Sequence, residues 1–260
     1  MPKRPLLLCF AGHDPTGGAG LQADAEAVAA VGCHALTVVT TLTVQNSHNI
    51  ERLEPVPAGW ITAQTRCLMA DFSIQAIKIG LLGSLAAIDE VTTLLATLPP
   101  EVPVVLDPIL RSGGGRPLAD GAYIDALRQQ LLPRATCLTP NIDELLQLAG
   151  VDDEAQAVAR LLDSGCAYLL VSGGHDADSL WLENRLYGPQ GVIQRHRWPR
   201  LPQRYHGSGC TLAALLCAHL ALGHSLPEAA MMSGERCHRA MVDAEPLGGG
   251  QWIPRRITLK

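Results

Sequence analysis

Residues 6–31 read LLLCFAGHDPTGGAGLQADAEAVAAV, and three local patterns follow one another within this stretch. Leu6–Phe10 is an unbroken apolar run, which is typical of a strand buried on both faces of a sheet. Leu21–Val31 places apolar residues on one side of a helix, at intervals of three and four. Four glycines in the nine residues from 12 to 20 indicate a loop folded closely against another part of the chain. The stretch therefore predicts a strand, a glycine-rich loop and a helix.

The alternation of strands and helices continues along the chain. Further strands are predicted at 36–41, 76–79, 102–106, 136–138 and 168–171, and helices at 60–69, 85–98, 122–132, 142–149, 155–162, 211–222 and 226–241. This order predicts an α/β fold with a mainly parallel central sheet flanked by helices. Short runs at 179–182, 186–187 and 192–197 predict a small antiparallel part after residue 175. Since no linker or repeat interrupts the sequence, we expect a single domain over residues 1–260.

The composition of the 260 residues excludes several classes of protein. The net charge of −5 gives no electrostatic footprint for nucleic acid. No stretch approaches the roughly 18 uncharged apolar residues that a membrane span needs. Eight cysteines contain no C-x-x-C pair, so we expect buried, reduced thiols in a cytoplasmic protein. Lysine occurs only at positions 3, 78 and 260, which makes the interior Lys78 conspicuous.

The glycine-rich loop follows the carboxyl end of a predicted strand, which is where open α/β sheets bind ligands. It lacks the G-x-G-x-x-G spacing of dinucleotide-binding loops, and the chain has no Gly-Lys-Ser/Thr of a Walker loop. A purely structural turn explains its glycines equally well, so the loop alone does not indicate a function.

A second small-residue motif, His206–Thr211, opens the apolar helix predicted at 211–222. Small residues at a helix start leave backbone N–H groups free to bind an anion, and the helix dipole adds positive charge there. Such a cradle suits a migrating phosphoryl group. We expect the pKa of Cys210, inside the cradle, to be lowered. The alternative interpretation is an ordinary helix start with a buried cysteine.

Three further candidates lie near strand ends. Asn141 can cap the helix that follows it with Glu144 at the capping-box position, and this structural explanation is sufficient by itself. Alternatively, Glu144 faces a hydrated Mg²⁺, which prefers carboxylates and retained waters. Asp107 closes a strand and is expected to face the ligand crevice. Gln45 follows another strand, and its amide matches the edge of an amino-substituted heterocycle.

Seven motifs occur in order between about residues 5 and 245, and together they resemble one family. They are Ala11–Asp24, Leu42–Asn46, Lys78–Leu81, Asp107-Pro108, Thr139–Glu144, Gly173–His175 and His206–Leu212. The series is similar to the hydroxymethylpyrimidine/phosphomethylpyrimidine kinases of thiamine biosynthesis, which belong to the ribokinase-like superfamily. Each motif alone is weakly specific, but the ordered series is highly specific.

The resemblance implies two successive phosphoryl transfers from ATP, with Mg²⁺, to 4-amino-5-hydroxymethyl-2-methylpyrimidine and then to its monophosphate. The residues around the pyrimidine would be Gly12, Ala19, Asp24 and Gln45. The anion hole and its catalytic group would be Gly207, Ser208, Gly209 and Cys210, where related sugar kinases carry an Asp base in place of the cysteine. The residues toward the phosphates and the metal would be Asp107, Asn141, Glu144 and Ser172, with Glu144 as the metal ligand. The family also implies a homodimer.

Two alternatives remain open at this point. A pyridoxal or pyridoxine kinase shares the superfamily and its chemistry, and a non-catalytic pyrimidine-binding protein shares the substrate pocket. The chain departs from the family pattern at three positions: Ser172 replaces a Lys, Ser208 replaces a Thr, and His13 replaces a Ser or Thr. The first of these replaces a residue that the resemblance would place in contact with a phosphate or with the nucleotide.

Overall fold

A computed structural model describes residues 4–173 and 179–257 of the chain. Its strands are β1 (Leu6–His13), β2 (His34–Gln45), β3 (Ile50–Pro55), β4 (Ala76–Ile79), β5 (Val104–Leu106), β6 (Cys137–Leu138), β7 (Tyr168–Ser172), β8 (Trp181–Gly188) and β9 (Gly191–Pro199). Its α-helices are α1 (Gly20–Ala30), α2 (Trp60–Asp71), α3 (Leu85–Leu95), α4 (Gly121–Ala126), α5 (Ile142–Ala149), α6 (Glu154–Asp163), α7 (Ser208–Ala221) and α8 (Leu226–Val242). A π-helical turn, Leu127–Leu131, extends α4.

Within these ranges the strands form one nine-stranded sheet in the order β3-β2-β1-β4-β5-β6-β7-β8-β9. The six strands from β2 to β7 in this order run parallel, because helices connect most of them. At one edge, β8 and β9 are antiparallel to their neighbours. The arrangement confirms the predicted α/β class and the antiparallel part after residue 175.

Two strands differ from the sequence prediction. The sequence pattern does not predict β3, because the charged residues Glu51, Arg52 and Glu54 leave no apolar run there. It pairs antiparallel with β2 and adds a second antiparallel piece at the opposite edge of the sheet. β8 is one strand rather than two, because its polar centre is stabilised by ion pairs. Arg185 lies 2.8 Å from Glu154, for example.

Each face of the sheet is covered by its own set of helices. Leu8 and Phe10 of β1 belong to one core cluster, together with residues from α2 to α6. Leu7, Cys9 and Ala11 belong to the other cluster, with α1, α7 and α8. Because successive strand residues point to opposite faces, the apolar run of β1 contributes to both cores.

α7 lies in the middle of the second layer, where its residues 210–219 are all buried, and it contacts β4, β5, α1 and α8. A helix that is apolar all round belongs in the interior of a domain. The packing of α7 therefore holds its first residue, Ser208, in a fixed position near the carboxyl ends of the strands.

The cysteines follow the sequence expectation with one exception. Seven of the eight are buried, all eight are free thiols, and Cys67 on α2 is exposed. Over residues 4–173 and 179–257, every helix is too short or too polar to cross a lipid bilayer.

Candidate active site

The carboxyl ends of the parallel strands open into a cavity of about 420 Å³. This position is the usual ligand crevice of an open α/β sheet. Eleven of the twelve candidate residues line it: Gly12, Ala19, Gln45, Asp107, Asn141, Glu144, Ser172, Gly207, Ser208, Gly209 and Cys210. The twelfth, Asp24, is fully buried on α1 and is absent from the lining.

Asp14 fixes the glycine-rich loop to the start of the cradle. Its carboxylate accepts hydrogen bonds of 2.8 Å from the backbone N–H groups of Thr16 and Ala19. The ring Nε2 of His206 donates a third, also 2.8 Å long. Burial opposes the charge, but the hydrogen bonds from His206 and Thr16 hold the pKa of Asp14 below its usual range. The first loop and the second motif are thereby joined into one wall of the cavity.

The cradle itself depends on close backbone contact between the two motifs. Gly207 has a φ of 77°, in the left-handed region, and precedes the first residue of α7. A Cβ at Gly207 would overlap the carbonyl oxygen of Gly18, so both the conformation and the space require glycine. The first turn of α7 carries N–H groups that lie outside the intrahelical hydrogen-bond pattern and can bind an anion.

A buried cation lies beneath the floor of the cavity. Lys78 on β4 is fully buried, and its Nζ lies 2.8 Å from the Asp24 carboxylate and 3.9 Å from Asp107 Oδ2. Burial disfavours the charged amine, but the attraction of Asp24 outweighs it and raises the pKa of Lys78. Asp24 is thus the partner of this lysine, and its predicted contact with a pyrimidine stays a prediction.

The expected lowering of the Cys210 pKa is wrong. Burial raises the pKa of the thiol to about 12, although Lys78 acts in the opposite direction. Desolvation exceeds the effect of the helix dipole because Cys210 is buried rather than exposed at an open helix end. The carboxylate of Asp107 lies beside the thiol. In the free protein Cys210 therefore holds its proton at neutral pH.

Asp107 carries the least compensated charge in this cluster. Its Oδ2 is buried and has no hydrogen-bond partner in the described part of the chain. Burial raises the pKa of Asp107 to about 6, with Lys78 lowering it and Asp24 raising it. Lys78 thus faces the two carboxylates of Asp24 and Asp107. The excess negative charge lies on Asp107, which lines the cavity.

Glu144 combines the two roles considered from sequence. Its Oε2 accepts a 3.0 Å hydrogen bond from the Asn141 N–H, and Asn141 Oδ1 accepts one of 2.9 Å in return, which confirms the capping box. Burial and the neighbouring Asp107 raise the pKa of Glu144 to about 8. The described residues contain no preformed cluster of three metal-ligating side chains. A carboxylate with this placement suits Mg²⁺ that keeps waters and phosphate oxygens as its other ligands.

Two groups of the site were not singled out from sequence. The Asp14–His206 pair lies within quoted motifs, but nothing in the spacing links residues 192 positions apart. Arg256 lies far from any motif. Its Nε donates 2.8 Å to Thr211 Oγ1, and its Nη atoms reach Glu26 at 3.1 Å and the carbonyl oxygen of Gly18. A buried arginine near the end of the described chain thus joins the loop to α7.

A second cavity of about 290 Å³ adjoins the first across the cradle. Both are lined by Asn141, Ser172, Tyr205, Ser208 and Gly209. Of the predicted Gly173–His175 motif, Gly173 lines the second cavity and residues 174 and 175 lie outside the described residues. The cradle therefore lies between two compartments, as a phosphoryl-transfer site between a donor and an acceptor requires.

The chain is similar to known kinases both in sequence and in fold. The family model for phosphomethylpyrimidine kinase matches residues 14–254. The hydroxymethylpyrimidine/phosphomethylpyrimidine kinase of Streptomyces coelicolor is 38% identical over 95% of this chain and 92% of its own length. The ADP complex of Bacillus subtilis pyridoxal kinase has a TM-score of 0.88 at 27% identity, covering 98% of both chains. Phosphomethylpyrimidine kinase from Clostridium difficile has a TM-score of 0.77 at 28% identity, over 92% of this chain and all of that one.

The fold and the cradle define a small-molecule kinase of the ribokinase-like class. Within that class, the chain belongs to the phosphomethylpyrimidine kinase family. The family membership confirms the prediction of a phosphotransferase and disfavours the non-catalytic alternative.

Proposed function

We propose that the protein transfers the γ-phosphoryl group of ATP to the hydroxymethyl group of 4-amino-5-hydroxymethyl-2-methylpyrimidine, and then a second one to the resulting monophosphate. The observation that carries the proposal is the anion cradle between two cavities, one of which is lined by Gln45. The test is incubation with ATP and the pyrimidine alcohol, with products followed by phosphorus NMR. Appearance of the monophosphate and then the diphosphate is expected, and absence of both would contradict the proposal.

The cradle would hold the migrating group, and the residues beside it would handle the proton. In-line transfer needs the hydroxyl oxygen positioned against the γ-phosphorus, with charge stabilised by the N–H groups at the start of α7. The substrate hydroxyl loses its proton late in the transfer. We place that proton on Cys210 Sγ as the thiol proton passes to the Asp107 carboxylate, so that Asp107 ends protonated. This path agrees with a thiol that is protonated in the free protein.

The phosphates would lie toward Asn141, Ser172 and Glu144, which line the first cavity. Asn141 and Ser172 also line the second cavity, on the other side of the cradle. Glu144 would hold Mg²⁺ together with phosphate oxygens and waters, and the ion would neutralise charge on the phosphates. Ser172 offers a hydroxyl here instead of a cation. The phosphates therefore depend more on the backbone N–H groups of α7 in this chain.

Pyridoxal phosphorylation is the second candidate activity. The similarity of the fold to Bacillus subtilis pyridoxal kinase favours it. Pyridoxal and the pyrimidine alcohol both present a hydroxymethyl group on a heteroaromatic ring, so the same cradle would serve both. A comparison of kcat/KM for the two alcohols decides between them, and a higher value for pyridoxal would make the pyrimidine the secondary substrate.

Gln45→Ala is expected to raise the KM for the pyrimidine about tenfold, because the ring edge loses a hydrogen-bonding partner in the cavity. The side chain is positioned for this by its own hydrogen bond, in which Gln45 Nε2 donates to Thr43 Oγ1 over 2.7 Å. The KM for ATP should stay near the wild-type value. Steady-state kinetics with each substrate varied in turn measure both. Weakened ATP binding with normal pyrimidine binding would contradict the assignment.

Glu144→Gln is expected to lower turnover without lowering stability. Gln retains the capping acceptor and loses the charge. Because the folded-state pKa is raised from 4.5 to about 8, the stability that protonated Glu144 supplies is complete below pH 4.5 and is lost as the pH rises through 8. The variant cannot ionise, so its Tm at pH 8 should equal or exceed that of the wild type. A lower Tm accompanying the lost activity would favour a purely structural role.

The homodimer implied by the resemblance stays part of the proposal. Sedimentation equilibrium at micromolar concentration tests it directly, and a monomer under the assay conditions would remove it.

A further inference from the structure

The first cavity is lined by a cation that the described chain leaves unpaired. Among the described residues around this cavity, Arg111 is the only arginine or lysine. Arg111 is exposed, and within the described chain no ion pair or hydrogen bond is formed with its guanidinium. The carboxylate of Asp107 lines the same cavity. The guanidinium is therefore available to an anion that enters the cavity.

The segment that follows β5 turns Arg111 toward the acceptor side of the site. Asp107, Ile109 and Arg111 all line the first cavity. Leu110, between the last two, is fully buried in the core. Four residues span at most about 14 Å, so Arg111 stays close to the strand end that carries Asp107. Of the two cavities described above, Arg111 lines only the first, which is the one that would hold the pyrimidine.

The loop that carries this arginine, residues 110–118, is fixed to the turn between β2 and β3. Ser112 Oγ donates a hydrogen bond of 2.7 Å to Asn49 Oδ1 in that turn. A Cβ at Gly114 would overlap the carbonyl oxygen of His48, so the loop and the turn are in close contact. The backbone of the loop is therefore held beside the end of β2, whereas the guanidinium is free to meet a ligand.

The two proposed transfers present different acceptors to the cradle. The first acceptor is a neutral hydroxyl group, whereas the second is a phosphate monoester with a charge of about −1.5 to −2 at pH 7. The N–H groups at the start of α7 would already hold the γ-phosphoryl group, and the Asp107 carboxylate would repel a second anion. A cation on the acceptor side therefore favours the second transfer and has no charge to bind in the first.

We propose that Arg111 binds the phosphate of the monophosphate acceptor and thereby serves the second transfer selectively. This inference rests on the proposed function, because it assigns a residue to the second of its two steps. A guanidinium can donate two parallel hydrogen bonds to phosphate oxygens, and it keeps its charge at every pH at which the protein is folded.

The second transfer balances without a proton. An oxygen of the acceptor phosphate forms the new bond to the γ-phosphorus, while the bond from that phosphorus to the bridging oxygen of ATP breaks. ADP leaves with the electron pair of the broken bond. The dianionic acceptor has no proton to lose, so the charge of the reactants is carried over to the diphosphate and ADP. Arg111 offsets the negative charge that the two phosphates bring together.

Kinetics with each acceptor supplied separately test the proposal. Arg111→Gln is expected to lower kcat/KM for the monophosphate roughly 10- to 100-fold, the usual effect of losing hydrogen bonds to a charged group, and to change the value for the alcohol less than about threefold. The KM for ATP should stay the same with either acceptor. Arg111→Lys retains the charge without the two-pronged geometry and should lie between the glutamine variant and the wild type.

Arg116→Gln is the matched control, because it removes the same charge from the same loop. Arg116 is outside the described lining of the first cavity, and its Nη1 donates a hydrogen bond of 2.9 Å to the carbonyl oxygen of Ile50. Its substitution should affect both acceptors alike. A selective loss of the monophosphate reaction in Arg116→Gln would overturn the inference. Equal losses with both acceptors in Arg111→Gln, or no loss at all, would do the same.

Calorimetric titration with the monophosphate in the absence of ATP separates this inference from the proposed function. Binding of the monophosphate that weakens in Arg111→Gln, with unchanged binding of the alcohol, would support the role of Arg111 even in a protein that transfers no phosphoryl group. The missing transfer would then contradict the proposed function alone. Conversely, formation of the diphosphate by Arg111→Gln at the wild-type rate would contradict the inference and leave the proposed function intact.

Discussion

Cys210→Ala is expected to lower kcat about 100-fold or more, while the KM for ATP changes little. Cys210 lines the cavity in the first turn of α7, and its sulfur lies beside the Asp107 carboxylate. Removing it interrupts the path by which the hydroxyl proton reaches Asp107. Single-turnover kinetics measure the effect on the chemical step itself. Turnover close to that of the wild type would show that the backbone cradle catalyses alone and that the thiol only packs.

Two further variants separate a thiolate base from a proton relay. Cys210→Ser retains a group that can pass a proton on, so the relay predicts more activity than in Cys210→Ala. A thiolate base predicts equal losses, because a serine hydroxyl is far harder to ionise than a thiol. Cys210→Asp places a carboxylate at the same position and is expected to retain part of the activity. Serine and alanine variants of equal activity would therefore contradict the relay.

Lys78→Met should destabilise the fold by roughly 3–5 kcal/mol, the usual result of removing one partner of a buried ion pair. The remaining Asp24 and Asp107 carboxylates are buried and would lose the cation that lies 2.8 and 3.9 Å from them. Urea unfolding followed by circular dichroism measures the change in free energy. Adding Asp24→Asn to the same chain removes one of the unpaired charges and should recover a large part of the loss.

The exposed pair of Arg52 and Glu54 provides the control for this experiment. Its atoms lie 2.8 Å apart, as in the buried pair, but both side chains are more than half exposed. Arg52→Met is expected to leave the unfolding midpoint unchanged, because water screens a surface ion pair. Similar losses from both substitutions would mean that burial does not determine the strength of the Lys78 pair.

Sequence patterns predict the fold well where hydrophobic periodicity is strong. β1 and the parallel strands are apolar runs because both faces of the sheet are covered, and such runs are visible without a structure. β3 and the centre of β8 are not visible in this way. Their charged residues are tolerated at an edge or through ion pairs, and such compensation depends on neighbours distant in sequence.

The candidate site shows the same division between local and distant causes. Gly207 and Cys210 line the cavity, as their motif predicts, because the start of a helix can be predicted from neighbouring residues alone. The pKa of Cys210 depends instead on the burial of its side chain, which the residues at a helix start do not predict. Likewise, the role of Asp24 is decided by Lys78, which is contributed by another strand. Arg256 belongs to no motif, and only its burial and its contacts identify it.

The contacts of Arg256 have a consequence for biosynthesis. The arginine is synthesised after the loop that it holds, 238 positions after Gly18. Contacts separated so far along the chain form late, since the intervening segment must first be ordered. While Arg256 is still inside the ribosome, a nascent chain can assemble most of the sheet and join Asp14 to His206, but it lacks the arginine contacts between this loop and Thr211 of α7. The contact between this loop and Arg256 therefore forms only after the sheet that supports the loop has formed.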